Sequence, residues 1–491
     1  MKKNKAAESG VKFIGREVQL KELREVLTSD RPEFVAVYGR RRVGKTFIIR
    51  HAANNNFAFY YTAANNISKK EQLTNFALVL QGYNASVPRQ AFKNWFEAFR
   101  CLGDYLDSLP QKKNKIVFID EMPWADSPKS GFLPAFENFW NTRCAFRNDI
   151  KIIVCGSATS WILNKIIHNI GGLYGRLTHV FKIEPFNLWE TEKYFKAAGY
   201  KFSQMQLAEI YMILGGIPYY FSLFEKGESI AQNVDRLFFS KNAQLKREFE
   251  ALYSSLYRHP SLHIDVIMAL SRKGKGLTRQ EILDSLKIKS NGAFSKVLKE
   301  LEEGGFIRAY YPLEYSKKTK SESPKNIVYQ LIDLFSIFYL RFVKESDFKN
   351  ANFWSANYTT PQINSWRGFS FETLCLWHVP QIKEVLGITG VNARICAWMG
   401  KNNDGEKVQI DLLIDRVDGV INICEMKWSS DLFAISKSYA MELQKKLDVF
   451  YEVTRTRKTL VLTFIVTEGV KLNSYRDYAQ KVIELSKLFK Y

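Results

Sequence analysis

One stretch constrains this chain more than any other: Gly39, Arg40, Arg41, Arg42, Val43, Gly44, Lys45 and Thr46, with Phe47 behind them. Its spacing is G-x-x-x-x-G-K-[ST]. It lies between a β-like run, Phe34 to Tyr38, and a helical one that begins Phe47-Ile48-Ile49. Strand, glycine-rich loop and helix, in that order, let backbone N–H groups converge on phosphate oxygens, with the helix dipole adding to the field. On this reading residues 39–47 cradle a nucleotide. Lys45 reaches its β- and γ-phosphates, and the Thr46 hydroxyl ligates Mg²⁺.

Such a loop requires a second strand that ends in acid. Ile116 to Ile119 runs directly into Asp120-Glu121. Asp120 is expected to hold Mg²⁺ through coordinated water, and Glu121 to orient and deprotonate the attacking water. A third apolar run, Ile150 to Val154, leads through Cys155-Gly156 to Ser157, placing a polar sensor beside the γ-phosphate. An acidic pair alone would be an ordinary strand end. Three strands ending in phosphate-facing chemistry make a nucleotide-binding core.

These pieces resemble the archaeal-type ATPases of the STAND branch of the AAA+ group. The likeness rests on Phe13-Ile14-Gly15-Arg16-Glu17 ahead of the loop, on the loop itself, on Gly175-Arg176, and on Gly215-Gly216-Ile217-Pro218, which is similar to the G-x-P signature of the STAND lid. The resemblance implies an ATP-hydrolysing α/β core with helices on both faces of its sheet, then a small helical lid. It also implies a nucleotide-dependent homo-oligomer as one form of assembly. Arg176 falls where relatives carry an arginine after the sensor strand. Two roles stay open for it, a γ-phosphate contact or a pair with a carboxylate at the domain edge.

At 491 residues, with 46% hydrophobic and 14% aromatic content, the chain has material for several packed cores. Its net charge of +21 favours a polyanionic partner over a merely basic surface. The six cysteines include no C-x-x-C pair and read as reduced core residues. No Cys/His cluster suggests zinc, the basic N-terminus has no apolar segment behind it, and the stretch from Leu331 to Val343 is too short to span a bilayer. A cytoplasmic protein without a membrane partner is expected.

Between Arg236 and Lys320 there are 17 Lys or Arg against 9 Asp or Glu. A helical run from His263 to Leu270 precedes a second helix opened by Thr278 with Glu281 three residues on, the capping-box spacing. In a third, Phe294, Val297, Leu298 and Leu301 recur at helical spacing before Gly304-Gly305. Ile307 to Tyr311 and Ile327 to Leu331 read as wing strands around a Lys317-Lys318-Thr319-Lys320 loop. This is the pattern of a winged helix-turn-helix, with Asn291, Ser295, Lys296 and Lys299 on the exposed face of its third helix. That face favours DNA phosphates. Glu300, Glu302 and Glu303 suit a packing module instead.

After a linker-like stretch around residues 350–364, the tail carries charge where a buried strand should not. Asp411 lies inside V-Q-I-D-L-L-I-D, and Glu425 and Lys427 share one face of V-I-N-I-C-E-M-K-W. Thirteen residues separate Asp411 from Glu425, enough for a hairpin. The D-x(13)-E-x-K arrangement resembles the PD-(D/E)XK nuclease fold, without the proline that usually precedes the first acid. The resemblance implies that Asp411 and Glu425 ligate Mg²⁺, that Lys427 positions water or stabilises developing charge, and that Glu372 is an additional acid. The alternative is an inactive site that binds DNA without cutting it. The last strand, at 459–466, is expected to lead into a final helix.

The fold class expected is therefore α/β: a P-loop core over residues 1–187, a helical lid over 188–258, a winged helix-turn-helix over 259–345 and a restriction-endonuclease-like α/β domain over 346–491.

Overall fold

The apolar runs flanking the phosphate loop become strands of one sheet in the computed structural model, which describes residues 13–87, 91–110, 114–310, 327–346 and 350–490. The chain divides into two compact units. The first runs to Pro185 and takes in Ser254–Arg258; the second comprises Phe186–Tyr253 and His259 onward.

In the first unit the strands β1 (Glu33–Tyr38), β2 (Phe59–Thr62), β3 (Lys115–Asp120), β4 (Ile150–Gly156) and β5 (His179–Lys182) pair in the order β2-β3-β4-β1-β5. Every pairing is parallel. β3 and β4 are buried along their whole length, as a parallel sheet covered on both faces requires. Since β3, β4 and β1 are neighbours, the turns after Tyr38, Asp120 and Gly156 open along one edge. Helices Lys69–Tyr83, Trp95–Ser108 and Phe132–Phe139 supply Phe76, Trp95, Phe99, Phe132 and Phe136 to an aromatic core. Ring centroids there lie 4.8–5.8 Å apart in mostly tilted or edge-on pairs, the arrangement the ring quadrupoles favour.

The second unit holds two sheets. Strands β6 (Leu277–Thr278), β7 (Ile307–Tyr310) and β8 (Val328–Leu331) form an antiparallel sheet in the order β6-β8-β7. Helices Ser261–Ser271, Arg279–Leu286 and Gly292–Glu303 accompany it. The expected capping box is present, with Thr278 and Glu281 satisfying each other's backbone N–H groups. Asn291 is exposed, as expected, and also caps the third helix by accepting from the Phe294 N–H at 2.8 Å. The basic loop 317–320 lies outside the described residues.

The other sheet comprises β9 (Ala393–Lys401), β10 (Lys407–Arg416), β11 (Val420–Lys427), β12 (Thr459–Val466) and β13 (Lys481–Glu484), ordered β13-β12-β11-β10-β9. The first three pair antiparallel and the last two join in parallel. Ile421 and Ile423 on β11 pack with Leu443, Val449 and Phe450 of the helix Lys437–Thr454. The helix Pro361–Trp377 also packs on β11.

Two expectations fail here. The stretch 350–364 is not a linker: it contains the helix Phe353–Asn357 and the start of the next. Trp354 is fully buried, and the N–H groups of Trp354 and Ser355 donate to the Asp235 carboxylate at 2.7 and 3.1 Å. Polarity disguised this segment, because its few apolar residues are anchors and Asp235 satisfies its backbone. The final helix is also absent. Lys481–Glu484 adds an edge strand to β12, and only the short 3₁₀ turn Leu485–Phe489 follows it. β12 offers residues 481–484 a ready parallel ladder in place of a helix.

Among the described residues no helix is long and apolar enough to cross a membrane. All six cysteines are free thiols, five of them buried.

Candidate functional site

The phosphate loop is shaped by its glycines. Gly39 has φ of 145°, and a Cβ there would stand 2.1 Å from the Ile183 carbonyl oxygen. Gly44, with φ of 94°, caps the helix Lys45–Ala52. Both positions demand a residue free to adopt positive φ. Val43 is fully buried, and the Lys45 ammonium donates to the carbonyls of Gly39 and Arg40 at 3.0 and 2.9 Å. Loop and ammonium are thus preset around one small volume. Phe47 stacks on Phe13 at 5.7 Å, and Phe13 stacks on His51 at 4.6 Å. Arg16, whose Nη2 donates to the Glu184 carbonyl at 2.8 Å, lies beside Gly44.

The strands bring the two acids to this loop. Asp120 accepts from the Thr46 hydroxyl at 2.9 Å and from the Glu121 N–H at 3.0 Å, with the Tyr60 hydroxyl at 3.5 Å. Burial, and then the neighbouring Glu121 charge, raise the Asp120 carboxyl above its ordinary range. A hydroxyl beside a desolvated carboxylate is the donor set that Mg²⁺ takes in such loops, so these residues fit the ion. Glu121 sits at φ 48°, an uncommon conformation for a side-chain-bearing residue. Ser157 holds it: the Ser157 hydroxyl lies 2.9 and 3.0 Å from the two Glu121 oxygens, and the Ser157 N–H donates at 3.1 Å. Arg176 is exposed, and its side chain makes no hydrogen bond or ion pair among the described residues. Tyr60 and Arg16 were not singled out by the sequence as site residues; the only hint for Arg16 was its place in the leading motif.

The second unit gathers another charged set. The β10–β11 ladder ends at Leu412 opposite Cys424, one residue short of Asp411 and Glu425, and the β10–β9 register shifts at the same place, between Ile410 and Leu413. Asp411 accepts from the Gln409 amide at 2.9 Å. The Glu425 carboxylate is occupied by protein groups: the Tyr439 hydroxyl donates at 2.8 Å, the Lys446 ammonium pairs with its other oxygen, and Lys427 stands 3.7 Å away. Lys427 also lies over the Tyr439 ring at 4.8 Å. Glu372, on the helix Pro361–Trp377, feels all of these charges. Burial first, then Asp411, push its carboxyl up to about 7 against the pull of Lys427 and Lys275.

The sequence expectation here names two metal-ligating carboxylates, Asp411 and Glu425. Among the described residues no group of three or more His, Cys, Asp or Glu side chains is placed to hold a metal ion. Glu425 is already neutralised by an ammonium, which a divalent ion would have to displace. The signal for Lys446 was legible but unread. Tyr439, Leu443, Lys446 and Phe450 follow one another at helical spacing, which puts a lysine in an otherwise apolar stripe.

With this geometry in hand, comparisons with known proteins place the first half of the chain. Residues 13–224 match the family described as an ATPase domain predominantly from Archaea. The protein is an ATPase, carrying a P-loop domain of the archaeal type. An uncharacterized protein of Methanocaldococcus jannaschii is 26% identical over 423 residues, covering 85% of this chain and 87% of its own. The Walker-type ATPase of Pyrococcus abyssi aligns with a TM-score of 0.47 and 18% identity, over 67% of this chain and 96% of its own. The Aeropyrum pernix ORC2 protein, solved as ADPNP–ADP complexes, aligns at 0.39 and 12%, over 71% and 97%.

Proposed function

We propose that ATP binding and hydrolysis in the first half of the chain control a grip on duplex DNA exerted by the winged helix and the C-terminal α/β domain. The carrying observation is the adjacency of β1, β3 and β4, whose ends bring Lys45, Thr46, Asp120, Glu121 and Ser157 to one edge. When bound, Mg²⁺ supplies charge neutralisation at the β- and γ-phosphates. Lys45 leaves its carbonyl partners for phosphate oxygens. Glu121 is the base for the attacking water, and Ser157 governs its position. Arg176, with no partner of its own among the described residues, is available to a γ-phosphate.

The DNA part rests on charge and topology. The net charge is +21, and the helix Gly292–Glu303 presents Lys296 and Lys299 in long pairs of 3.7 and 3.6 Å with Glu300 and Glu303. The lysines are exposed and the pairs long, so each contributes under about 1 kcal/mol and phosphate oxygens compete for the lysines.

A second reading adds metal-dependent cleavage of the bound DNA. It is favoured by Glu372, Asp411, Glu425 and Lys427 sharing one electrostatic field. The hold of Lys446 and Tyr439 on Glu425 favours binding without cleavage. One experiment separates the readings. Purified protein is incubated with supercoiled plasmid and Mg²⁺, with and without ATP, while binding is followed by gel retardation. Retardation that changes with nucleotide supports the first reading, and nicking supports the second. Plasmid that is neither retarded nor nicked would leave an ATPase with another partner.

A further inference from the structure

The wing carries a cation that has no ion pair among the described residues. Arg308, on β7, donates through Nε to the Gln330 side chain at 2.8 Å; Gln330 in turn donates to the Gly274 carbonyl at 2.9 Å. The guanidinium lies over the Tyr310 ring at 4.9 Å, and the Tyr310 hydroxyl is tied to the Lys275 carbonyl at 2.9 Å. One further contact reaches across to β10, where Nη2 meets the backbone carbonyl of Asp411 at 3.5 Å.

Every acceptor in this set is neutral. Among the described residues no carboxylate oxygen comes within 4.0 Å of the Arg308 guanidinium, although Asp411 is its electrostatic neighbour. Partial burial of a cation without an ion pair is costly. Here two hydrogen bonds and a ring fix the fork, which leaves its remaining N–H groups preorganised. A fixed guanidinium fork of this kind matches the oxygens of a phosphodiester. Lys427 and Lys275 lie in the same electrostatic neighbourhood around Glu372, so a strand backbone passing there meets cations from both domains.

We infer that Arg308 is a DNA-backbone ligand supplied by the winged helix beside the C-terminal sheet, binding one phosphate near Asp411. This assignment rests on the DNA reading above and specifies where on the second unit the duplex is held. It does not depend on cleavage.

The test is a salt series of duplex binding, read by fluorescence anisotropy, on the full chain in EDTA. Wild type, Arg308→Gln and Arg308→Lys are compared on two unrelated 30-base-pair duplexes. Arg308→Gln is expected to weaken binding about 5- to 10-fold on both duplexes and to reduce the slope of log affinity against log salt by about one. Arg308→Lys keeps the charge and therefore the slope, but loses the fork and a few-fold of affinity. It also controls for folding, and ATP turnover should be unchanged in both variants. An Arg308→Gln protein with wild-type affinity and slope overturns the assignment alone. Tighter binding by that variant also overturns it, because the guanidinium would then be obstructing the duplex rather than holding it. A wild-type chain that binds no duplex at any salt overturns the DNA reading and the assignment together.

Discussion

Among the described residues two acidic sites are carried on strands or at their ends, and they are restrained in different ways. Asp120 and Glu121 are held by the hydroxyls of Thr46 and Ser157. Glu425 is held by the ammonium of Lys446 as well as the Tyr439 hydroxyl. A hydroxyl orients a carboxylate and leaves its charge intact for an incoming cation. An ammonium cancels that charge and must leave before a metal ion enters. The first site keeps its carboxylates oriented with their charge intact. The second is neutralised from within.

The largest test of this contrast is Lys45→Ala, which removes the ammonium at the mouth of the loop. ATP turnover should fall by at least ~10³, with nucleotide binding severely weakened, as measured by phosphate release and titration calorimetry. Glu121→Gln should lower turnover by roughly 10² to 10⁴ while leaving ATP affinity within about twofold, since Thr46 and Asp120 survive. Wild-type turnover in that variant would break the assignment of the β3 end.

Acid should act on the second unit through His378. This imidazole is fully buried, accepts from the Leu188 N–H at 3.0 Å and is bonded to the Leu374 carbonyl at 2.8 Å, and burial pulls its pKa down to about 4. The neutral form is the native one. The unfolded chain therefore takes up the proton first, and stability present above pH 6.5 is lost as pH falls toward 4. The loss should approach about 3 kcal/mol, read as hydrogen-exchange protection of the helix Pro361–Trp377 between pH 7 and pH 4. A His378→Ala protein should be less stable at neutral pH but flatter across that window.

The smallest expected effect bears most directly on the comparison. Without nucleotide, Mg²⁺ should scarcely raise the melting temperature of the wild-type protein. In Lys446→Met, Glu425 loses its nearest ammonium, and millimolar Mg²⁺ should stabilise the second unit by about 1–2 kcal/mol, a shift of a few degrees. Equal Mg²⁺ responses in the two proteins would show that Lys446 does not guard the site.

Much of this was legible in the sequence because it is local. The G-x-x-x-x-G-K-T spacing, the capping box at Thr278 and Glu281, and the alternation of Ile421, Ile423, Glu425 and Lys427 each report on a few consecutive residues. Strand and helix periodicity then fix which side chains share a face. The 350–364 segment was misread for the complementary reason: its fate depends on Asp235, more than a hundred residues earlier.

The residues that bring the chemistry are plain in the linear order: a phosphate loop, an acidic strand end, a serine after the third strand, and an Asp–Glu–Lys set in the tail. How those groups are partnered came from packing. Ser157 meets Glu121 across two parallel strands, Lys446 reaches Glu425 from a helix, and Arg308 arrives at Asp411 from β7. Each of these contacts joins residues 21 to 103 positions apart in the chain. Local periodicity carries no information at that range, because packing alone sets which charges end as neighbours and which are left to bind something else.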